Sequence, residues 1–448
     1  MGRYSNVTGL PKRSEAKKRR SGPGPAGPSS NFFTGAVGTD IHDSAFTNIN
    51  IGGDQINVNQ RSDTKEILAD LKPVERGGYY VPPCMEGTRK AIFDDIDQWL
   101  DNLDAPNNIL LLSGNPGAGK STVASSLVSR LTERRRLGSY FFFKRGDVTL
   151  SNPAAVWRTV AHDLARYDAT FSDNLFEVLK EKTVDPGRPD IALHFKFLIQ
   201  EPLARSHNHF ASHTVPVIVI DALDECDYDG SQAAQRRAFL DTLLQWSSLS
   251  KMFKLVVTSR NERMLDRLRA ICQQMALPTG EAVSTDTNKD ILQFFQDRFA
   301  ELRGSSLPEW PGNRVLNALT AKAAGLFIWA ETVMKFLEQG LPDEQLELVL
   351  AGDLGEGDNI TKLYQQILEF AFPAPKASTL ELFKLVVSTI VLAKVPLRTN
   401  DLHEFVSQPK PSVAFILHQL SSVIFIEGTD QILHIGHLSF SEFLCDHQ

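Results

Sequence analysis

Gly114, Asn115, Pro116, Gly117, Ala118, Gly119, Lys120 and Ser121 follow the pattern G-x-x-x-x-G-K-S, and Thr122 comes next. That spacing suits phosphate. The glycines let the backbone curl so that successive N–H groups face phosphate oxygens. A helix opening at the lysine adds the partial positive charge of its first turn. Lys120 would reach the β- and γ-phosphates, and the Ser121 hydroxyl would hold magnesium. With glycine near ~7% of residues, a chance match in a chain this long has odds of order 1 in 100.

A metal beside phosphates needs a carboxylate. Asp221, Asp224, Glu225 and Asp227 follow the apolar run VPVIVI. Several carboxylates at one strand end repel one another unless a cation is near, and magnesium is commonly held through one or two of them plus phosphates. Asp221, directly after the strand, is the metal candidate. Asp224 or Glu225 could polarise an attacking water. Thr258, Ser259 and Arg260 close a further run, FKLVV. The planar fork of Arg260 matches the oxygens of a γ-phosphate.

These residues converge only if their elements form a parallel sheet, whose strand C-termini share one edge. The sequence predicts such a sheet. ILLLS, SYFFF, VPVIVID and FKLVVTS read as apolar strands. Between them STVASSLVSRLTERRR, AAVWRTVAHDLARY and RRAFLDTLLQWSS read as amphipathic helices. Continuous apolar strands alternating with helices indicate a sheet covered on both faces. Strands end near residue 285. NKDILQFFQDRFAEL, NRVLNALTAKAAGLFIWAETVMKFL and ITKLYQQILEFAF then read as helices. SSVIFIEG and QILHIGH form a terminal hairpin turning at Gly428, Thr429 and Asp430. The expected fold is α/β, a P-loop NTPase with a parallel sheet flanked by helices, then a helical domain and a C-terminal winged-helix-like domain. The expected divisions are a disordered or β-prone leader over 1–62 and a helical linker over 63–104, including a short helix in DTKEILADLK. The NTPase core follows over 105–285, helices over 286–372 and the winged-helix-like part over 373–448.

Composition narrows the class. The chain has 448 residues, 42% hydrophobic and 23% charged, an ordinary globular balance. A net charge of -7 gives no general pull toward nucleic acid or anionic membrane, so a nucleic-acid partner is not expected. The four cysteines show no C-x-x-C spacing, which argues against structural zinc and a disulfide framework. No apolar run approaches the ~20 residues of a membrane span, and the start is too polar for a secretory signal. The expectation is an intracellular, cytoplasmic protein. The basic run Lys17, Lys18, Arg19, Arg20 reads as a solvated tail or a nuclear address. The segment FFTGAVGTDIHDSAFTNINIGGDQINVNQ reads as a leader or a β-prone assembly segment.

GNPGAGKS, IVIDALDEC and VVTSR, in that order, resemble the NACHT class of signal-transducing (STAND) P-loop ATPases. The fungal branch, nephrocystin-3-like at its N-terminal part, is the one the chain resembles. CMEGTRKAIFDDIDQWL, SYFFFKRGD, GLFIWAETVMKFL and HLSFSEFLCD extend the likeness from Cys84 to the end. The resemblance implies that Lys120 and Ser121 hold phosphate and magnesium and that Asp221 binds the metal. It favours Asp224, with Glu225 beside it, as the water-polarising acid, and makes Arg260 a sensor. Thr88 and Arg89 would lie near the adenosine, and His437 would lock an ADP state. GLFIWA lacks a proline that relatives use against adenine. The chain also stops where relatives continue into repeats, which implies a fragment, a shortened product or a sensing partner. The implied function is a slow, Mg2+-dependent ATP/ADP switch in NLR-like immune or heterokaryon-recognition-type signalling, with self-association on activation and an unidentified effector or sensor partner. GTP is open, because such a loop reads phosphates and not the base. The alternative is a non-hydrolysing, nucleotide-bound scaffold or an assembly protein.

Overall fold

The computed structural model describes residues 68–75, 81–181, 185–211, 214–226, 232–303, 310–351, 359–393 and 395–446. The leader over 1–62, with its basic run and β-prone segment, lies outside the described residues, as do 63–67 of the first expected helix and Asp227. Of the rest of that helix, only residues 68–69 are helical.

Five strands form one sheet: β1 Ile109–Gly114, β2 Leu137–Phe142, β3 Val217–Asp221, β4 Lys254–Ser259 and β5 Gln273–Leu277. Their order is β2-β3-β4-β1-β5, and every pairing is parallel. Side chains alternate across the pleat, so each strand supplies two cores. Leu110, Leu112, Val217, Val219 and Val256 face one side. There they pack against α1 Lys90–Asp101, through Phe93, Ile96, Trp99 and Leu100, and α2 Lys120–Glu133, through Val123, Leu127 and Leu131. The helix expected to lie in a linker before the core is thus one of its layers. Ile109, Leu111, Ile218, Ile220, Leu255 and Val257 face the other side. They meet α3 Val156–Tyr167, a helical run over 191–205 and α4 Ala233–Trp246. Trp157 of α3 stacks on Trp246 of α4 at 5.9 Å, and its Nε1 donates to Thr242 at 2.9 Å.

β5 is a strand the sequence does not announce. It lies at the sheet edge beside β1, and only Leu277 of its QQMAL is buried. With one neighbour and one wetted face, it needs no apolar run.

Helices follow: α5 Thr285–Arg303, α6 Asn313–Ala323, α7 Phe327–Leu337, α8 Pro342–Ala351, α9 Asn359–Ala371, α10 Ala377–Leu392, α11 Thr399–Val406 and α12 Lys410–Gln419. The hairpin β6 Ile424–Glu427 and β7 Ile432–Ile435 and a last helix, α13 Leu438–Asp446, complete the described chain. Arg398 adds a bridge to Ile432, widening the wing. One apolar core runs through this half, from Phe295 and Trp329 through Tyr364, Val387 and Ile416 to Leu433 and Phe440.

The single helical stretch expected over 313–337 is broken into α6 and α7. Ala324 (φ 47) and Gly325 (φ 86) are left-handed. A Cβ on Gly325 would lie 3.0 Å from the Pro278 carbonyl oxygen and 2.9 Å from Val283 Cγ2. The break turns the start of α7 toward the sheet edge, and Ile328 N–H donates to the Gly117 carbonyl at 3.3 Å. No described helix is long and apolar enough to cross a membrane.

Candidate phosphate site

The loop from Gly114 to Gly119 joins the end of β1 to the start of α2. Gly117 (φ 76) and Gly119 (φ 91) hold the curl in the left-handed region, where a side chain would strain it. Lys120 is buried, and its Nζ donates to the carbonyls of Gly114 (2.9 Å) and Asn115 (3.0 Å). Burial pushes its pKa down, against the pull of the Asp224 charge. Asn115 Nδ2 donates to Thr279 at 2.6 Å, tying the loop to the end of β5.

Asp221 ends β3 two strands away, 1% exposed. Its Oδ1 accepts from the Thr258 hydroxyl of β4, which itself accepts from Ala222 N–H at 2.9 Å. Its Oδ2 is buried without a hydrogen-bond partner. Burial raises the Asp221 carboxyl, opposed by the Thr258 hydrogen bond, the nearby Ser121 hydroxyl and the Lys120 charge. A buried, unpartnered carboxylate oxygen costs on the order of 1–3 kcal/mol, and a hard cation would offset it. Asp221 and Ser121 therefore fit magnesium. Among the described residues no group of three or more His, Cys, Asp or Glu could hold a metal, so a cation here would draw its remaining oxygens from phosphate and water.

Ala222 (φ 54) turns the chain out of the strand, and a short turn at Leu223–Glu225 presents the other two acids. Asp224 is buried and committed to Arg260, accepting its backbone N–H and its Nε, each at 3.0 Å. Glu225 accepts the Arg145 N–H at 2.7 Å. Burial, with the Asp224 and Asp221 charges, pushes Glu225 up to about 7.

Arg260 leaves β4 and also donates from Nη1 to Glu442 of α13 at 2.8 Å. Arg145, three residues past β2, donates to the same Glu442 oxygen at 3.3 Å. His437 precedes α13, and its Cε1 would lie 4.0 Å from a Cβ on Gly117. Its Nδ1 accepts the Ser439 N–H at 3.1 Å, which leaves the proton of the neutral ring on Nε2, a donor type that suits an oxyanion. The Ser439 hydroxyl joins Nδ1 (2.8 Å) to the Tyr364 hydroxyl (2.9 Å). Burial and the charges of Arg260 and Lys120 push His437 down to about 4, so the ring is neutral at neutral pH.

Thr88 and Arg89 approach the loop elsewhere. Arg89 Nη2 donates to the Ala118 carbonyl at 2.7 Å and Nη1 to Thr287 at 3.2 Å, while its N–H donates to Asp290 at 3.0 Å. The guanidinium lies 4.7 Å from the Phe327 ring centroid. Thr88 bonds within its own turn, to Met85 O at 2.7 Å. One strand-end edge thus carries the glycine loop, Lys120, Asp221, Asp224, Glu225, Arg260 and His437, with Arg89 against Ala118. The sequence alone assigns no role to Thr258, Arg145 or Glu442, and no contact with Arg89 to Phe327. Each sits inside a segment that carried the resemblance, but its partner lies 37 to 297 positions away, and spacing cannot reveal that.

Residues 87–260 match the family described as Nephrocystin 3, N-terminal. No curated protein matches the chain. Among solved structures, the Aeropyrum pernix ORC2 protein in its ADPNP–ADP complexes is 14% identical, covering 82% of this chain and 96% of that one at a TM-score of 0.36. AMPPCP-bound DnaA from Aquifex aeolicus is 12% identical, covering 75% and 89% at 0.33.

Proposed function

We propose that the chain is a nucleotide-dependent switch that binds ATP and ADP and hydrolyses ATP slowly. One observation carries this reading. A glycine-curled loop, a buried lysine resting on that loop's own carbonyls and a buried aspartate with an unpartnered oxygen share one strand-end edge.

Lys120 bonded to carbonyls is a stored cation. Phosphates would offer its ammonium a charged acceptor in place of the neutral carbonyls of Gly114 and Asn115. Ser121 and Asp221 would hold magnesium, which when bound supplies charge neutralisation at the phosphates. Glu225, titrating near neutrality, suits proton abstraction from water better than Asp224, whose oxygens are taken up by Arg260. The neutral His437 has its Nε2 proton for a phosphate oxygen. Closure by His437 and α13 suits a resting diphosphate form, and its release would free surfaces for self-association or for an effector. NLR-like or heterokaryon-recognition-type signalling is the setting we assign to that cycle. The engagement of Asp224 and Arg260 with each other also favours a second reading, a scaffold that holds nucleotide without turnover.

The test is nucleotide content and turnover of purified protein beside Lys120→Ala and Asp221→Asn, with ATP and GTP each offered. The switch predicts co-purified ADP and slow, Mg2+-dependent hydrolysis, with nucleotide lost in the first variant and turnover in both. Bound nucleotide without turnover selects the scaffold. Neither nucleotide nor turnover would sink both readings.

A further inference from the structure

We propose that Arg145 and Arg260 form a two-arginine site for the terminal phosphate of a nucleoside triphosphate, and that Glu442 fills this site from within when that phosphate is absent. The inference rests on the nucleotide reading above and adds how the third phosphate is sensed.

Two guanidiniums on one carboxylate oxygen form an unusual contact. Arg145 Nη1 and Arg260 Nη1 lie 3.3 and 2.8 Å from Glu442 Oε1. They come from the ends of different strands, β2 and β4, on either side of β3. Like charges brought this close repel unless an anion lies between them. The fold therefore builds an anion site here, and its occupant belongs to the other half of the molecule. The three side chains are 22–30% exposed, open enough for exchange with a soluble anion.

The same arginines touch the acids next to the phosphate loop. Arg260 holds Asp224 through its N–H and Nε, and the Arg145 N–H holds Glu225. Lys120 feels the charges of Asp224, Arg260, Asp221 and Glu225, so these groups lie within electrostatic reach of the loop. Arg260 thus links the loop to the Glu442 contact, where Arg145 lies beside it.

Phosphate and Glu442 cannot both take the pair. A terminal phosphate carries more charge than a carboxylate and more oxygens for two forks. A diphosphate offers no such group and leaves Glu442 in place. Glu442 lies on α13, between the docked Phe440 and Phe443, so displacing its carboxylate loosens the helix that follows His437. A ligand shifts a two-state balance only through its different affinity for the two states. Here the difference lies in one phosphate competing with one carboxylate.

The experiment is a titration of the full chain, wild type and variants, with fluorescent ATPγS and ADP analogues. Glu442→Gln keeps shape and removes charge. Its expected effect is a roughly tenfold gain in ATPγS affinity with ADP affinity little changed, within the usual range of coupling between sites. Arg145→Ala should weaken ATPγS about tenfold and spare ADP, and in the double variant the gain from Glu442→Gln should shrink to what Arg260 alone provides. Equal shifts for both nucleotides in Glu442→Gln would overturn the competition. Arg145→Ala with an unchanged ATPγS-to-ADP ratio would overturn the two-arginine site. Wild-type protein that binds neither analogue would instead refute the nucleotide reading, and this inference with it.

Discussion

Glu225 is held where its charge is disfavoured, a cost to stability that the proposed role in activating water would explain. Its folded pKa of about 7 stands above the ordinary 4.5. Between those values the unfolded chain gives up the proton and the native one keeps it. Stability therefore falls as pH rises through the window, with the full penalty present above about 7. At about 1.4 kcal/mol per pH unit the cost is at most roughly 3.5 kcal/mol. Glu225→Gln keeps an acceptor for the Arg145 N–H and removes the charge. Its melting temperature should exceed wild type at pH 8, by a stabilisation of about 1–3 kcal/mol, and converge with it near pH 4, below the unfolded value, while turnover is lost. An offset independent of pH would show that the carboxylate is not held up as described. His437 carries the opposite sign. Its pKa falls from 6.5 to about 4, so the stability of the docked form is complete above 6.5 and drains as pH falls through the folded value. His437→Gln should flatten the acid limb of a stability-against-pH curve between those limits. At this scale legibility followed locality. The phosphate loop is eight consecutive residues with a fixed mechanical reason, so spacing alone exposed it. Thr258, which completes Asp221, is 37 positions away, and only the sheet order brings it there.

The elements that could be read were those with an unambiguous environment. β1, β3 and β4 are buried on both faces and appear as unbroken apolar runs. β5 lies at the edge, with Gln273, Gln274 and Met275 among its five residues, and periodicity gave no sign of it. The break between α6 and α7 is not legible in the sequence, because AKAAGLFIWA keeps helical composition across Gly325. Its cause is tertiary: the Pro278 carbonyl and Val283 crowd the glycine. That break sets where α7 begins, and α7 delivers the Ile328 N–H to Gly117 and the Phe327 ring to Arg89. Gly325→Ala must therefore disturb the phosphate loop without touching it. The left-handed backbone and the clash together cost about 1–3 kcal/mol. Hydrogen exchange should rise in the loop and in the first turn of α7, and remain at wild-type level in α3 and α4. Faster exchange throughout the sheet would instead mean general loosening and would remove the specific link from Gly325 to the loop.

At the scale of the whole molecule, the sheet and its helices hold two apolar cores of their own, and a third runs unbroken from α5 to α13. Across the boundary run polar contacts at the phosphate edge: Ile328 to Gly117, Arg89 to Thr287 and Asp290, and Glu442 to Arg145 and Arg260. Large cores resist deformation, whereas this seam is a few separate polar contacts, buried or partly buried. Motion should therefore occur at the phosphate edge. Phe440 tests this. It is 1% exposed, and its ring sits 5.0 Å from that of Tyr364, edge to face. Phe440→Ala should cost about 3–5 kcal/mol, most of it in the docking of α13, which carries Glu442. Phe295, equally buried in the same core, lies on α5, and Phe295→Ala should cost a similar amount. Release of a fluorescent ADP analogue, followed by stopped flow, separates the two. If α13 closes the site, Phe440→Ala releases ADP at least tenfold faster while Phe295→Ala remains near wild type. If both accelerate alike, release follows overall stability, and α13 is a packing element with no hold on the nucleotide.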